Sequence, residues 1–271
     1  MTLINNKYKI INKIGVGSFG EIYKAQNIRT KEYVALKIEL ISSNLKLLKN
    51  ESKIYQYLID CEYVPTLKWY GKDDKYYYMV IDLLGNSLQH YIDRMTTYPL
   101  LLILQIGIRI IHILKNVHNK GLIHRDIKPD NFLFGINNTN NIYLIDFGFC
   151  KSYLDINNNH LKQKQTSNII GSRNYASITC HKYHELSRRD DLESLSYMLM
   201  YFYTGWLPWN NITDDFEIID LKNSILESKR YPVVLLDFLS YARDLDYDES
   251  PNYHYIIDNF KREIELLSKN N

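Results

Sequence analysis

His124-Arg125-Asp126-Ile127-Lys128-Pro129-Asp130-Asn131, followed fifteen residues later by Asp146-Phe147-Gly148, is the stretch on which the reading of this chain turns. It gathers carboxylates, cations and a carboxamide into one polar segment between apolar runs. Moving a phosphoryl group from ATP asks for little covalent chemistry from a protein. It needs a base or orienting group beside the acceptor hydroxyl, and metal ions over the phosphates. Asp126 suits the first task, and Asn131 and Asp146 carry oxygen donors of the kind Mg²⁺ prefers. Lys128 is placed to neutralise the γ-phosphate as charge moves in the transition state. A polar loop without chemistry does not account for eight consecutive residues and the triplet together.

Two further constellations lie upstream. Gly15-Val-Gly17-Ser-Phe-Gly20-Glu-Ile22 sits between two strand-like runs, where glycines let backbone N–H groups approach phosphates without an obstructing Cβ. It leads into another strand and not into a helix, which argues against a dinucleotide-binding fingerprint. Seventeen residues after Gly20, Lys37 ends Val34-Ala35-Leu36-Lys37, and Glu51 follows fourteen residues later on an expected helix. A strand lysine that contacts phosphates needs an anion to hold it, and Glu51 is the candidate.

The first third of the chain alternates like strands: Tyr8–Ile14, Gly20–Ala25 and Tyr33–Leu40, with turns at Gly15–Gly17 and Arg29–Glu32. In the third run Val34, Leu36 and Ile38 share one face, and Ala35, Lys37 and Glu39 the other. A helix is expected from about Leu45 to Leu58, then strands at Leu67–Tyr70 and Tyr76–Ile81. Beyond Asp82–Gly85 the pattern turns helical: Leu88–Met95, Leu100–Asn119, Arg189–Thr204, Asp215–Glu227, Val233–Ala242 and Tyr253–Ser268. Gly135–Asn141 reads as a hairpin turn between short strands, and Asn157–Asn159 with Gln163–Asn168 as an exposed loop. The expected fold class is α+β, one bilobal domain over 1–271: a β-rich N-lobe with one main helix (about 1–81), a hinge (about 82–85) and a mostly α-helical C-lobe (about 86–271).

Composition excludes some classes of function. Hydrophobic residues make up 45% and charged residues 24%, and a net charge of +2 gives no reason to expect nucleic acid or an anionic membrane as a partner. Cys61, Cys150 and Cys180 are odd in number and widely spaced, which points to a reducing, intracellular (cytoplasmic or nuclear) setting and not to a disulfide framework. The N-terminus lacks a basic region followed by an apolar run, so no secretory signal is expected. The greasiest stretch, Leu100–Leu114, is broken by Gln105, Arg109 and His112, falls short of a bilayer span, and is expected as a buried helix.

Taken in order, these motifs resemble the protein-kinase signature set. That resemblance implies Asp126 as catalytic base, assisted by Lys128, with Asn131 and Asp146 holding Mg²⁺ and Lys37 and Glu51 as the phosphate-contacting ion pair. ATP would lie against Ile14, Gly15, Gly17 and Gly20, with Ile22 and Ala35 above the adenine and Leu133 and Ile145 beneath. Asp82 and Leu84 would offer a carbonyl and an N–H to the adenine, with Ile81 as gatekeeper. Lys128, two positions after the aspartate, resembles serine/threonine kinases, so Ser/Thr-containing protein substrates and a monomeric enzyme are expected.

Gly171-Ser-Arg-Asn-Tyr-Ala-Ser-Ile178 stands where most such kinases carry Ala-Pro-Glu. With Ser187-Arg-Arg-Asp-Asp-Leu-Glu-Ser-Leu195 and Leu207-Pro-Trp209, it resembles the casein kinase 1 family over residues ~7 to ~262. By that resemblance Asp191 begins the central helix and holds the catalytic loop through its backbone. The chain departs from the family where the substrate cleft should be basic: Asn174, Ser152 and Leu154 replace expected cations, and the loop after Trp209 is short. Losing cations that pair with phosphate weakens recognition of primed substrates.

Other features have plainer readings. Cys180, His181 and His184 lack a second ligand cluster for a metal site, and Tyr76–Tyr78 reads as a strand and not as a stacking platform. Cys150 reads as a buried, inert thiol. A scaffolding pseudokinase would lack Lys37, Asp126, Asn131 or Asp146, and none is missing. A small-molecule kinase would not need the peptide-positioning segment Tyr175–Ile178.

Overall fold

The computed structural model describes residues 3–17, 20–43, 47–95, 97–136 and 138–269. In chain order the elements are β1 (Leu3–Ile4), β2 (Tyr8–Gly17), β3 (Gly20–Asn27), β4 (Tyr33–Leu40), α1 (Leu47–Tyr57), β5 (Leu67–Lys72) and β6 (Tyr76–Asp82). Then come α2 (Leu88–Ile92), α3 (Leu100–Asn119), β7 (Leu122–Ile123), β8 (Phe132–Phe134), β9 (Ile142–Leu144) and β10 (Lys151–Ser152). The rest is helical: α4 (Ile178–His181), α5 (Arg188–Thr204), α6 (Asp215–Ser224), α7 (Val233–Asp244) and α8 (Tyr253–Lys269). The α+β class is what the motifs called for: an antiparallel sheet early and helices late.

Two compact units emerge. One holds the residues up to Asn86 together with Leu133–Gly148; the other holds Ser87–Phe132 and the chain from Phe149 onward. The first unit is a six-stranded antiparallel sheet in the order β1-β2-β3-β4-β6-β5. Strand β4 runs through its middle with the expected alternation, Val34 and Leu36 buried in a cluster with Tyr8, Ala25, Tyr78 and Val80. The β8–β9 hairpin belongs to this unit because Gly85 N–H donates to Phe134 O at 2.7 Å, Phe134 N–H to Asn86 O at 3.0 Å and Leu144 N–H to Tyr63 O at 2.9 Å. Residues placed by sequence after the hinge thus return to the sheet side of it.

One expected turn is corrected. The chain does not turn at Gly15–Gly17; β2 stays extended through Gly17, which pairs with Gly20. Ser18 and Phe19 of the glycine segment, Leu45 of the expected helix and Asn137 of the Asn-rich turn lie outside the described residues. At Gly20 a Cβ would sit 2.0 Å from the Ile38 carbonyl oxygen, so only glycine lets β3 close onto β4 there. The helix expected to reach Met95 ends at Ile92, where Asp93 N–H donates back to Gln89 O. Asp215–Glu227 divides into α6 and a 3₁₀ turn over Ile225–Glu227.

In the second unit α5 is buried nearly all round and packs against α3 and α7, while α3 also packs against α8. Helix α3 is longer than its greasiest stretch. Its full twenty residues are long and apolar enough to cross a membrane by length and composition alone, which corrects the expectation that it falls short. Its apolar side chains Ile103, Leu104, Ile110, Ile111 and Leu114 are buried in the core.

Close approach of α3 to its neighbours is set at Gly107, where a Cβ would lie 2.8 Å from the Phe260 ring and 3.1 Å from Leu199 Cδ1. Gly107→Ala gains about 1 kcal/mol of helix propensity but forces a tightly packed ring to move at about 1–3 kcal/mol. The expected result is a net loss of stability, read as a lower urea midpoint by circular dichroism.

Candidate active site

In the first unit, the sequence-predicted residues gather around helix α1. Three side-chain positions one turn apart share a face of α1: Leu47, Glu51 and Tyr55. Glu51 accepts from Lys37 Nζ at 2.8 Å, and the same ammonium reaches Asp146 Oδ1 at 3.0 Å. Tyr55 Oη accepts the Asp146 backbone N–H at 3.2 Å, and its ring meets Phe147 edge-on at 5.1 Å. Asp146 sits at φ 65°, in the left-handed region that Asp tolerates better than most residues. The sequence-predicted Lys37, Glu51 and Asp146 are therefore brought together, nearly out of reach of solvent.

Burial alone would lower the Lys37 pKa, yet the two carboxylates outweigh it and hold the ammonium above the ordinary lysine range. Lys37 thus meets two carboxylates, that of Glu51 pushed up to about 7 by burial against the pull of the ammonium, in an arrangement suited to being shared with a phosphate. Breaking such a pair by removing one partner leaves an unpaired buried charge, which costs about 3–5 kcal/mol.

The predicted nucleotide-contacting residues line up around this triad on the sheet. Ile22 pairs with Gly15 on one side and Lys37 on the other, and Ala35 pairs with Ile81. A Cβ on Gly17 would touch Lys37 Cε at 3.5 Å, so the second glycine approaches the lysine stem. Ile14 is 47% exposed on β2 and makes the most open of these positions. After β6, Leu84 and Gly85 run beside β8, which carries Leu133; Ile145 precedes Asp146. Asp82 is fixed on its flank, accepting from Thr66 N–H at 2.7 Å and from Lys68 at 2.8 Å.

The second unit holds Asp126, Lys128 and Asn131. Lys128 Nζ bonds Asp126 Oδ2 at 2.7 Å; Asn131 Nδ2 donates to the Asp126 carbonyl at 2.8 Å and to Oδ2 at 3.2 Å. Committing its nitrogen to Asp126 leaves the carbonyl oxygen of Asn131 as the end able to act as a ligand. Asp126 Oδ1 accepts from the Ser172 N–H at 2.9 Å. Ser172 and the adjoining Gly171 are site residues that sequence reasoning did not single out for this role, although the motif around them was noticed.

Helix α5 holds this loop in place. Asp191 Oδ2 accepts from His124 N–H at 2.8 Å and Oδ1 from Arg125 N–H at 2.9 Å, as the resemblance implied. His118 Nε2 lies in hydrogen-bond contact with Asp191 Oδ2 at 2.9 Å, and its Nδ1 with Tyr253 Oη at 2.6 Å. Burial pushes Asp191 toward protonation, but these donors, His118 foremost, keep its carboxyl below the usual range. Arg125, at φ 69°, points Nε to Phe149 O at 2.6 Å and Nη1 to Glu185 at 3.3 Å; Lys151 joins the same Glu185 at 2.6 Å.

The segment expected to position the acceptor is gripped from several sides. Asp190 accepts from Ser177 Oγ at 2.6 Å and Glu193 from Ile178 N–H at 3.1 Å. Burial pushes Asp190 up to about 6 despite bonds from Ser177 and Ser187. Trp209 Nε1 donates to Asn174 O at 2.7 Å, and the fully buried Lys222 donates to the carbonyls of Arg173 and Ala176. Nothing in the local sequence marks Lys222, because its partners lie 46 and 49 residues away. His181 bonds Asp215 at 2.9 Å, and Cys180 Sγ donates to Ile170 O. Among the described residues no group of three or more His, Cys, Asp or Glu could hold a metal ion. Cys150 is buried and its thiol is pushed up by burial, as expected of an inert residue.

The family model of the protein kinase domain matches residues 8–251. That span takes in the sequence-predicted residues of both units, from Lys37 to Asp191.

Gly171 tests the loop geometry directly. Its φ is +81° and a Cβ would fall 2.4 Å from Arg125 O and 3.1 Å from Asp126 Oδ1. Gly171→Ala is expected to lower kcat at least about tenfold, because displacing a reacting group by even an ångström is costly. Circular dichroism should stay near that of the parent; steady-state kinetics check it.

Proposed function

The chain belongs to the protein kinase domain family, and on that premise we propose that this phosphotransferase moves the γ-phosphate of ATP to Ser and Thr hydroxyls of proteins, with Mg²⁺ as cofactor. The observation that carries the reading is the buried Lys37 ammonium fixed between Glu51 and Asp146. Such a cation is already oriented and dehydrated, so it can meet phosphate oxygens without further reorganisation. Asp126, held by Ser172, Asn131 and Lys128, supplies the base or orienter for the acceptor hydroxyl. Asn131 and Asp146 would hold Mg²⁺, since a carboxamide oxygen and a carboxylate are the hard donors that ion selects. Bound there, the ion would offset the negative charge of the phosphates.

The finer reading is a casein kinase 1-like enzyme with a weakened preference for primed substrates. Support comes from what the remaining cations touch. Arg173, beside Asn174, already bonds Asp215 at 2.6 Å and the Thr213 carbonyl at 2.6 Å. Lys151 and Arg125 share Glu185. Each of these cations has an internal anion, so an incoming phosphate must displace a carboxylate to reach it. The same Glu185 supplies, without modification, the anion that phosphorylation delivers to an arginine pocket in many switches, which supports activity without an activating kinase. Cys150 and Cys180 are free and buried, in keeping with a reducing intracellular setting. A monomer acting on protein substrates, without nucleic acid or membrane as partner, completes the proposal.

A positional-scanning peptide library with radiolabelled ATP and Mg²⁺ tests the whole reading. Ser and Thr peptides should be labelled, Tyr peptides not, and an upstream phosphoserine should improve kcat/KM by no more than about threefold, roughly 0.7 kcal/mol. Asp126→Asn should lower kcat by about 10²–10⁴-fold. Equal labelling by wild type and Asp126→Asn, or none by either, overturns the catalytic reading; a strict priming requirement overturns the substrate reading alone.

A further inference from the structure

We infer that Glu39 is a positioning residue for the Lys37–Glu51 pair, holding helix α1 where that pair can form. Glu39 is 1% exposed, and both of its carboxylate oxygens are spent on one helix end: Oε1 accepts from Leu47 N–H at 3.1 Å and Oε2 from Leu48 N–H at 2.9 Å. The first N–H groups of a helix have no partner within it, and that end carries partial positive charge. The first turn of α1 contains no acid of its own. Strand β4 therefore supplies the anion that the helix sequence omits.

The spacing gives this contact its consequence. Lys37 and Glu39 project from the same face of β4, two residues or about 6.7 Å apart. Leu47 and Glu51 lie one turn apart on α1, a rise of about 6 Å. Strand and helix are thus joined at two points of matched spacing: Glu39 to the first-turn amides and Lys37 to Glu51. Sliding or rotating α1 to separate Lys37 from Glu51 would leave a buried carboxylate and two helix amides unpaired, at a cost greater than that of one ion pair. Glu39 thereby makes the engaged position of α1 the resting one.

The inference rests on reading Lys37 and Glu51 as the phosphate-contacting pair, and the experiment separates the two. Glu39→Ala, Glu39→Gln and Glu51→Gln are compared with wild type for ATP KM, peptide KM and amide hydrogen exchange at Leu47 and Leu48. Glu39→Ala should speed exchange at both amides about tenfold or more and raise ATP KM about five- to tenfold, with peptide KM within about twofold. Glu39→Gln, which keeps one acceptor oxygen, should fall between. If Glu51→Gln raises ATP KM and folded Glu39→Ala does not, the inference fails and the pair stands. If Glu51→Gln leaves ATP KM unchanged, the pair reading fails and the inference with it. Equal rises in ATP and peptide KM would make Glu39 a general structural residue and also overturn the proposal. Should Glu39→Ala not fold, Glu39→Gln decides on the same readouts.

Discussion

A carboxylate taken out of water must be given donors, and Asp191 takes its donors from the backbone of the segment that carries Asp126. That requirement organises the second unit. Asp190, Asp191 and Glu193 all lie buried near the start of α5, where the helix end favours negative charge. Between them they reach two pieces of chain: Asp190 and Glu193 take the adjacent Ser177 and Ile178, and Asp191 takes His124 and Arg125. One rigid helix therefore sets both the loop that carries Asp126 and the segment at Ser177 and Ile178. Those loops gain their order from a buried polar network that is satisfied at each of these contacts and not from packing alone.

The first unit solves a similar problem with the opposite sign. Lys37 is a buried cation on a central strand, and it is stable there because α1 and the β8–β9 region each bring it an anion. Glu39 fixes the helix that brings one of them, and Tyr55 fixes the backbone of the residue that brings the other. Neighbouring positions on one strand and one helix face thus form a single constraint. The chain passes between the units at residues 86–87, 132–133 and 148–149, so each unit is built from segments far apart in sequence.

Several basic side chains are spent on internal partners. Arg173, Lys151 and Arg125 remain, but each is tied to Asp215 or Glu185. Counting cations in the sequence overstates how much positive charge is on offer, because charge already paired inside the protein attracts an outside anion weakly. Asn174, Ser152 and Leu154 carry no charge, and the nearby Arg173 and Lys151 are already paired.

Much of this was legible before any coordinates. Period-two and period-3.6 patterns placed β4, α3 and α5 to within a residue at their ends, and the spacing of Lys37, Glu51, Asp126, Asn131 and Asp146 named the candidate site. Local pattern carries that information because strands and helices impose their own periods on burial. It misled at Gly15–Gly17, where glycine permits a turn but cross-strand pairing with Gly20 keeps the chain extended. Tertiary structure alone decided that Glu39 caps α1, that Ser172 holds Asp126, and that Lys222 grips the segment at Arg173–Ala176. These are bonds between side chains and backbone groups 8 to 49 residues apart, and any Glu, Asp or Lys offers the same donors and acceptors. Residue type fixed what chemistry is available; only the fold decided which partner each group meets.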